Sequence, residues 1–285
     1  MGISSLQLDA FLAVAQTLNF TKAAEQLFIT QSALSQRVMN LEKDLETTLF
    51  IRDKAGLRLT EKAHDLVRYC RCKNSLEEEF ISGLKSSELA GTVRIGGFSS
   101  VMQSVILPSL SPLFETHSKL KLQMIVDEMD NLPHLLHRGE IDYMVSTQTE
   151  ARQDVERILL GAEQNVLVQK KKYKGPEVFL DHDENDKITF EYLKHSGRRL
   201  KNIERRYMDN VYGLLEGVRQ GFGKAVLPKH LLPEDKSLEI LQPQIVLNIP
   251  VYLCFYSQPY YSKLHLKTLE ALTQNAKNYL GPAIT

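Results

Sequence analysis

The chain has 285 residues, is 43% hydrophobic and 25% charged, and carries a formal net charge of zero. This length predicts about two domains of roughly 100–200 residues each, and no apolar run reaches the ~18 residues of a membrane-spanning helix. The N-terminus lacks the cationic and long apolar segments of a secretory signal. Three cysteines, an odd number, indicate reduced thiols. We therefore expect a cytoplasmic protein without a membrane partner.

The first 45 residues have the spacing of three short helices. Apolar residues three and four apart between Phe11 and Leu18 predict the first helix. Thr21 is placed to cap a second helix, Lys22 to Leu27, and Thr30 to cap a third. Small residues allow the second and third helices to cross closely, as in a helix-turn-helix. The third helix is expected to bury Ala33, Leu34, Val38, Leu41 and Leu45, and the turn residues expected to hold the helices together are Phe28 and Ile29.

The third helix has a polar outer face of short and medium side chains. Gln and Arg can form bidentate contacts with adenine and guanine edges in the major groove, and Ser can donate or accept. An ordinary three-helix bundle with a polar face is the alternative. The residues that we expect to face DNA are Gln31, Ser32, Ser35, Gln36 and Arg37.

Two short runs flank Gly56 and predict a β-hairpin, or wing, between residues 47 and 60. The hairpin carries Arg52, Lys54 and Arg58, which suit contacts with DNA phosphates. Acidic residues balance the charge of the N-terminal region as a whole. A DNA-binding function therefore depends on where these cations lie.

Six segments resemble, in the same order, the winged helix-turn-helix of LysR-type transcriptional regulators: Phe11-Leu12-Ala13-Val14-Ala15, Phe20-Thr21-Lys22-Ala23-Ala24, Thr30-Gln31-Ser32-Ala33-Leu34-Ser35, Leu41-Glu42, Leu49-Phe50-Ile51-Arg52 and Leu59-Thr60. One departure is Ala63, where the family usually has Gly. The resemblance implies a regulator that binds double-stranded promoter DNA and forms a homodimer or homotetramer. It also implies a small-molecule co-inducer or co-repressor, no cofactor, and RNA polymerase as a further partner. Thr21 and Thr30 join the residues expected to contact DNA.

Residues 61–87 contain no proline and predict one long helix. A broken heptad with Asn74 at its centre suggests either a polar residue that fixes the register of a coiled coil or a residue that faces solvent. By resemblance this is the dimerising linker helix of the family. The residues spaced three and four apart along this helix, which we call its stripe, are Ala63, Val67, Cys70, Asn74, Glu77, Ile81 and Leu84. The expected hinge that follows is Ser86 to Gly91.

From Thr92 onward, strand-like and helix-like segments alternate, which predicts a parallel or mixed sheet covered by helices. The predicted fold class is α/β, with a winged helix-turn-helix (1–60), a linker helix and hinge (61–90) and an effector-binding domain (91–285). By resemblance that domain has two α/β subdomains of periplasmic-binding-protein type, about 91–160 with 262–285, and 161–261. Predicted strands are 92–97, 120–126, 141–146, 177–180, 224–227 and 251–256; predicted helices are 101–114, interrupted at Pro108, 132–138 and 264–280.

Open α/β sheets bind ligands at the carboxyl ends of their strands. Three such ends carry polar residues: Gly96 to Ser100, Ser146 to Gln148, and Met208 to Asn210. Capping of the following helices is the simpler alternative for Ser99 and Asp209. The resemblance places these ends in an effector cleft, and the residues assigned to effector binding are Ser99, Ser100, Ser146, Thr147, Asp209 and Asn210.

Within the family, four segments resemble the branch that senses lysine or arginine: Ile125 to Glu128, Leu135 to Glu140, Val145 to Gln148 and Phe179 to Glu184. A basic amino acid presents a carboxylate, which suits a helix N-terminus, and a cation, which suits an acidic side chain. An anionic or aromatic metabolite is the alternative effector. The acids considered for the cation are Asp127, Glu128, Asp181, Asp183 and Asp209.

Enzymatic function has no support in the sequence, because no Gly-x-Ser-x-Gly, Walker loop, His-Glu-x-x-His or metal-ligand spacing occurs. The Cys70-x-Cys72 spacing is too short for a Cys-x-x-Cys pair. A solute-binding protein would need an export signal, and an architectural DNA-binding protein would not need an α/β domain. A cytoplasmic ligand-sensing module with little direct promoter control is the remaining alternative to a regulator.

Overall fold

The computed structural model describes residues 2–54, 56–85, 88–147, 154–198, 203–232 and 235–282, with the backbone alone for 82–85. The chain divides into two compact units. The first comprises Met1–Gly91 and His134–Ile141, and the second comprises Thr92–Pro133 and Asp142–Thr285. The domain boundaries expected from the sequence stay a prediction, and the expected hinge residues 86 and 87 lie outside the described residues.

The first unit begins with three helices and a hairpin, as predicted. Its elements are α1 (Ser5–Thr17), α2 (Phe20–Gln26), α3 (Gln31–Asp44), β1 (Phe50–Asp53), β2 (Gly56–Leu59) and α4 (Glu61–Lys85). Ala23 and Ala24 on α2 and Leu34 on α3 are buried in one core. The small alanines therefore lie at the crossing of the helices, where the sequence placed them.

Three details of these helices differ from expectation. Asn19, not Thr21, caps α2, because its Oδ1 accepts from the backbone N–H of Thr21 (2.9 Å) and Lys22 (3.1 Å). Ala33 is exposed, so its expected inward position is wrong. Phe28 is 95% exposed at a positive φ of 53°, so it does not hold the helices together, whereas Ile29 packs against the core. The predicted cap at Thr30 is confirmed by its bond from the Ala33 N–H, at 3.2 Å.

The wing is anchored to α3 by one carboxylate. Glu42 Oε1 accepts from the backbone N–H groups of Leu49 (2.6 Å) and Phe50 (3.2 Å). The Phe50 ring also contacts Phe11 (5.6 Å between ring centroids) and Phe20 (5.9 Å). Hydrogen bonds to a charged acceptor and aromatic packing together fix the hairpin beside the helices.

Helix α4 starts at Glu61, directly after Thr60, whose Oγ1 accepts from the Ala63 N–H at 3.2 Å. Ala63, Val67 and Cys70, the first members of the predicted coiled-coil stripe, are buried instead in the chain's own first-unit core. Burial raises the pKa of the Cys70 thiol to about 11, so it stays protonated near neutral pH. Further along, Asn74, Glu77 and Ile81 are exposed, and the side chain of Leu84 lies outside the described residues.

Residues 134–141 pack on α4 within the first unit. His137 Nε2 lies 2.6 Å from Glu61 Oε2, and Arg68 donates to the His137 carbonyl. The His64 and His137 rings are 5.2 Å apart. The pKa of His64 is lowered, mainly by burial and then by its neighbour His137.

The second unit contains a mixed sheet with helices. Nine strands are described: β3 (Gly91–Gly97), β4 (Leu120–Val126), β5 (Tyr143–Ser146), β6 (Val155–Lys170), β7 (Val178–Asp181), β8 (Glu204–Tyr207), β9 (Lys224–Pro228), β10 (Leu238–Leu241) and β11 (Leu247–Tyr256). The described helices that follow α4 are α5 (Ser99–Val101), a π turn (Met102–Ile106), α6 (Leu107–Thr116), α7 (Leu132–His137), α8 (Ile188–His195), α9 (Val211–Gln220), α10 (Lys263–Asn275) and two 3-10 turns (Lys229–Leu231 and Ala276–Asn278). Of these, α7 belongs to the first unit from His134 onward.

The strand order is β4-β3-β5-β11-β6-β9-β7-β8, and β10 pairs with β6. β3 and β5 are parallel, as are β7 and β9, whereas the long strands β6 and β11 are antiparallel to their neighbours. We call β3, β4 and β5 the first half of this sheet and β7, β8 and β9 the second half. The beginning of β6 pairs with β11 alongside β5, and its residues 165–168 pair with β9. β6 therefore crosses from one half to the other.

The predicted β4 is confirmed at both ends, and the interruption predicted at Pro108 takes the form of a π turn that ends just before it. Helical backbone continues from Ser99 to Thr116, because the π turn before Pro108 places it in the first turn of α6. In a first turn the missing N–H of proline is tolerated. The strands β6, β8 and β10 and the helix α8 were not predicted from the sequence.

Candidate DNA-binding and effector sites

The outer face of α3 carries most of the residues predicted to contact DNA. Gln31, Ser32 and Gln36 are exposed, whereas Ser35 and Arg37 are half-buried beside the inward face of Leu34 and Val38. Ser32 and Gln36, four residues apart, share one side of the helix. The structure therefore brings the amide and hydroxyl groups to the solvent side and leaves Arg37 at its flank.

Two further residues belong to this face. Met39 is 54% exposed, and Asn40 accepts a hydrogen bond from Gln36 Nε2 at 2.8 Å. Neither residue was predicted from the sequence, because a methionine among apolar residues could not be told apart from a core residue. The 3.6-residue period contained the signal, since Met39 lies seven residues after Ser32 and three after Gln36.

The wing places its cations differently. Arg52 lines a groove with Gln31, Ser35 and Met39 of α3. Lys54 and Thr21 line a neighbouring groove that also includes Gln31 and Arg52. Arg58 is 63% exposed along its side chain and forms an ion pair with Asp53. The structure therefore groups Arg52, Lys54 and Thr21 with the start of α3 and gives Arg58 an acidic partner.

The predicted effector residues of the first half lie at one edge. Because Gly96 pairs with Met144 in parallel strands, β3 and β5 end side by side. We call these ends, with Ser99, Ser100, Ser146 and Thr147, the serine edge. Ser100 and Ser146 are buried, whereas Ser99 and Thr147 are half-buried; Gln148 lies outside the described residues.

Close packing at the serine edge requires Gly97. A Cβ at this position would lie 2.7 Å from Met102 Sδ and 2.9 Å from Val145 Cβ. Real Cβ contacts are longer, so any side chain would displace the Met102 side chain of the π turn and Val145 of β5. The glycine lets the segment that begins at Ser99 pack directly on the neighbouring strand.

The predicted effector residues of the second half follow β8. Asn210 caps α9 through its Oδ1, which accepts from the Gly213 N–H at 2.8 Å, and Asp209 beside it is exposed. Helices α5 and α9 are in contact within the second unit. The two groups of predicted residues therefore lie on elements that meet, although capping occupies the Asn210 side chain.

The acids considered for a cationic effector differ in availability. Asp181 is buried and bound by Thr189 Oγ1 (2.5 Å) and Arg205, so it belongs to the core of the second half. Burial raises its pKa, and these two partners oppose that shift. Asp127 and Asp183 close local turns through backbone N–H groups. The acids of the set that remain exposed without such bonds are Glu128, which lies 3.8 Å from His182 Nε2, and Asp209.

A buried carboxylate that sequence reasoning missed lies next to Ser100. Glu163 on β6 accepts from Ser100 Oγ at 2.8 Å and contacts His230 Nε2 at 2.9 Å. The sequence feature that could have identified it is the run of polar residues 163–165 between apolar residues. The same run interrupts the apolar pattern of β6, so this strand was not predicted.

Within the described residues, no group of three or more His, Cys, Asp or Glu is arranged to bind a metal ion. None of the helices in that same part of the chain has the length and hydrophobicity needed to cross a bilayer.

Two protein-family models match the chain, one in its N-terminal part and one in the rest. Residues 6–64 match the family model of the bacterial regulatory helix-turn-helix protein, lysR family, and residues 86–277 match the LysR substrate binding domain. The chain belongs to the LysR family. This confirms the resemblance inferred from the sequence, and the descriptions are those of regulatory proteins and not of enzymes.

Two named relatives are the HTH-type transcriptional regulators HdfR of Yersinia pestis (strain Pestoides F) and Yersinia pseudotuberculosis serotype O:1b (strain IP 31758). Each is 32% identical to this LysR-family chain over 158 residues, which are 54% of this chain and 53% of the relative. The chain thus spans about half the length of the curated relatives that it matches.

Solved structures share the fold. ArgP from Mycobacterium tuberculosis superposes with a TM-score of 0.81 at 21% identity, covering 99% of this chain and 100% of that one. Full-length LysG from Corynebacterium glutamicum, with bound effector Arg, gives a TM-score of 0.77 at 20% identity, covering 98% and 100%. These likenesses confirm the predicted fold class, a helix-turn-helix unit followed by an α/β effector-type domain.

Proposed function

We propose that this LysR-family protein is a cytoplasmic, sequence-specific DNA-binding transcriptional regulator whose activity responds to a small-molecule effector. The observation that carries the proposal is the groove between α3 and the wing. There Gln31 and Ser35, which can read base edges, lie beside Arg52, which can bind phosphate. No cofactor is required by this function.

The DNA-binding mode follows from the helix-turn-helix. A homodimer presents two α3 helices to successive major grooves of an imperfect palindrome, with half-sites about one or two helical turns apart. Thr30 caps α3 and keeps its first residues ordered for base contact. A tetramer of two such dimers and a contact with RNA polymerase are further parts of the proposal.

The test is fluorescence polarisation with labelled DNA from the region flanking the gene, against random DNA of equal length. A regulator should bind one fragment about 10³-fold or more tightly than random DNA at physiological salt. Equal, weak binding to all fragments would favour a ligand-sensing module with little direct promoter control.

We also propose that the effector is a basic amino acid, arginine or lysine. The LysG structure of similar fold is described with bound effector Arg, which supports this class. Within the serine edge, the half-buried Ser99 and Thr147 offer hydroxyl groups for a carboxylate, whereas Ser100 gives its proton to Glu163. Asp209 and Glu128 offer anions for the cationic tail.

Thermal unfolding of the full chain with L-arginine and with L-lysine tests the effector class. A ligand at 100 times its Kd should stabilise the fold by about 2.7 kcal/mol. Agmatine, which lacks the carboxylate, and succinate, which lacks the cation, are the controls and should give smaller shifts. A shift with succinate and none with either amino acid would identify an anionic effector and leave the regulator proposal standing.

A further inference from the structure

Four polar side chains form one hydrogen-bonded chain inside the effector-type domain. Glu163 Oε1 accepts from Ser100 Oγ (2.8 Å) and contacts His230 Nε2 (2.9 Å). His230 Nδ1 lies 2.7 Å from Ser104 Oγ, and Ser104 donates to the Ser100 carbonyl at 2.5 Å. The side chains of His230 and Glu163 are 2% and 8% exposed. We call these four residues the latch.

The latch joins the two halves of the sheet. Ser100 and Ser104 lie on the helical segment that follows β3 in the first half. His230 lies on the 3-10 turn that follows β9 in the second half, and this turn contacts the π turn that holds Ser104. Glu163 lies on β6 where that strand passes between the halves. The bond between His230 and Ser104 therefore joins the second half to the first, and the bond between His230 and Glu163 joins the second half to the crossing strand.

Donors and acceptors can be counted along the latch. A carbonyl accepts, so Ser104 gives its proton to the Ser100 carbonyl, and its oxygen must then accept from a protonated His230 Nδ1. A proton also lies between His230 Nε2 and Glu163 Oε1, since two acceptors cannot bond at 2.9 Å. The pair therefore holds one shared proton and is neutral overall, which suits its burial.

We propose that the latch positions the serine edge relative to the second half, so that effector affinity depends on the His230 bonds. This rests on the proposed effector function. Imidazole is rigid; its Nδ1 is bonded to Ser104 of the first half and its Nε2 to Glu163 on the strand that crosses between the halves. A rotation of one half against the other therefore lengthens the bond between His230 and Ser104 beyond hydrogen-bond distance. Glu163 and His230 are positioning residues, acting on the effector through Ser100.

The first experiment does not depend on the effector's identity. Histidine side-chain 15N NMR spectra of the full chain are compared with those of His230→Gln, which identifies the His230 signal. We expect a protonated Nδ1 in the wild type and a changed Nδ1 signal in Ser104→Ala. A wild-type His230 with an unprotonated Nδ1 would overturn the proposal.

The second experiment measures L-arginine and L-lysine binding by calorimetry in Ser104→Ala, Glu163→Gln and the double variant. Each single change should weaken binding by about tenfold. The double variant should lose no more affinity than the single variant with the larger loss, because both changes interrupt the same path from Ser104 through His230 to Glu163. Unchanged affinity in both single variants, or losses that multiply in the double variant, would contradict the latch.

A matched control removes a buried hydrogen bond inside one half. Thr189→Val deletes the bond from Thr189 Oγ1 to Asp181 and should lower the melting temperature while changing affinity less than about twofold. An equal affinity loss in Thr189→Val would reduce the latch to a general stability effect. If the wild type binds neither amino acid, the effector proposal fails. The latch is then tested separately by the NMR result and by whether the losses in unfolding free energy of Ser104→Ala and Glu163→Gln add in the double variant.

Discussion

Arg52 and Arg58 lie on opposite faces of the wing. Arg52 pairs across the hairpin with Leu57, and Arg58 with Ile51. Directly paired residues share a face and successive residues alternate, so the two arginines are separated by the hairpin itself. Leu57 packs on the core beneath α3, which places Arg52 on the α3 side. Arg58 is instead paired with Asp53.

Replacing each arginine with alanine should therefore have unequal effects on DNA binding. Arg52→Ala should weaken binding to specific and random DNA alike and reduce the slope of log K against log salt by about one. Arg58→Ala should change the slope less, because Asp53 already neutralises that charge. Polarisation titrations between 50 and 200 mM salt measure both slopes. Lys62→Ala, an exposed cation on α4, is the control, and equal slopes for the two wing variants would refute the distinction.

The side-chain bond between Gln36 and Asn40 predicts a shared role in base recognition. Gln36→Ala should cost about 1–3 kcal/mol on the preferred DNA and relax the preference at one base pair. Asn40→Ala should relax the same position, because it frees the Gln36 amide to rotate. Binding to a set of single-base variants measures the preference. Gln26→Ala on the exposed side of α2 is the matched control, and relaxation at two unrelated positions would show that the residues act independently.

Most of the first unit was predictable because its helices are marked by apolar residues at regular spacing close together in the sequence. Apolar spacing located α1, α2 and α3, and the wing followed from Gly56. The position of Phe28 was not predictable in this way, since its exposure follows from a left-handed backbone in the turn. An apolar residue in a short turn can face either the core or solvent, and hydrophobicity alone does not decide between them.

The effector-type domain was predictable where strands carry a simple apolar run. β4 and β9 were found, whereas β6 was not, because Glu163 and Asn165 interrupt its pattern. Their burial depends on partners far away in sequence, such as His230, which is 67 residues from Glu163. The serine edge was found because its residues follow strands directly, and the latch was missed because its bonds are tertiary.

Helix α4 predicts where two copies of the chain associate. Tyr69, Leu76 and Phe80 are exposed and lie seven and four residues apart, on one side of the helix. Asn74 falls on a different side, in line with the buried residues Val67 and Cys70. We expect the exposed stripe to form the homodimer contact and Asn74 to face solvent, the alternative that the sequence left open.

Phe80→Glu should therefore weaken self-association, because it places a charge in an apolar contact. Asn74→Leu should leave the mass and melting temperature unchanged. Light scattering over a concentration series measures the association. Glu78→Gln, on an exposed position of the same helix, is the control. Greater dimer stability or a new oligomer in Asn74→Leu would instead assign Asn74 to the coiled-coil register.

We expect His265 to make the effector-type domain sensitive to acid. Its ring stacks on Tyr261 at 4.3 Å and on Tyr143 at 5.4 Å between centroids, and its Nε2 is buried with no hydrogen-bond partner among the described residues. Burial lowers the pKa of His265 to about 4, although Glu156 opposes the shift.

The sign of the effect follows from linkage. The folded pKa lies below the unfolded value of 6.5, so the neutral ring favours the folded state. Its contribution is fully present above pH 6.5 and is lost as the pH falls toward 4. Between pH 7 and pH 5 the free energy of unfolding should fall by about 1–2 kcal/mol from this group, after discounting for its partial exposure.

His265→Phe keeps the aromatic packing and removes the titration, so the pH dependence of its unfolding free energy over this range should be smaller. Urea unfolding at both pH values measures the difference, with His195→Gln, an exposed histidine, as the control. A wild-type slope retained in full by His265→Phe would assign the acid sensitivity to other groups, of which His64 is the first to examine because its pKa is also lowered by burial.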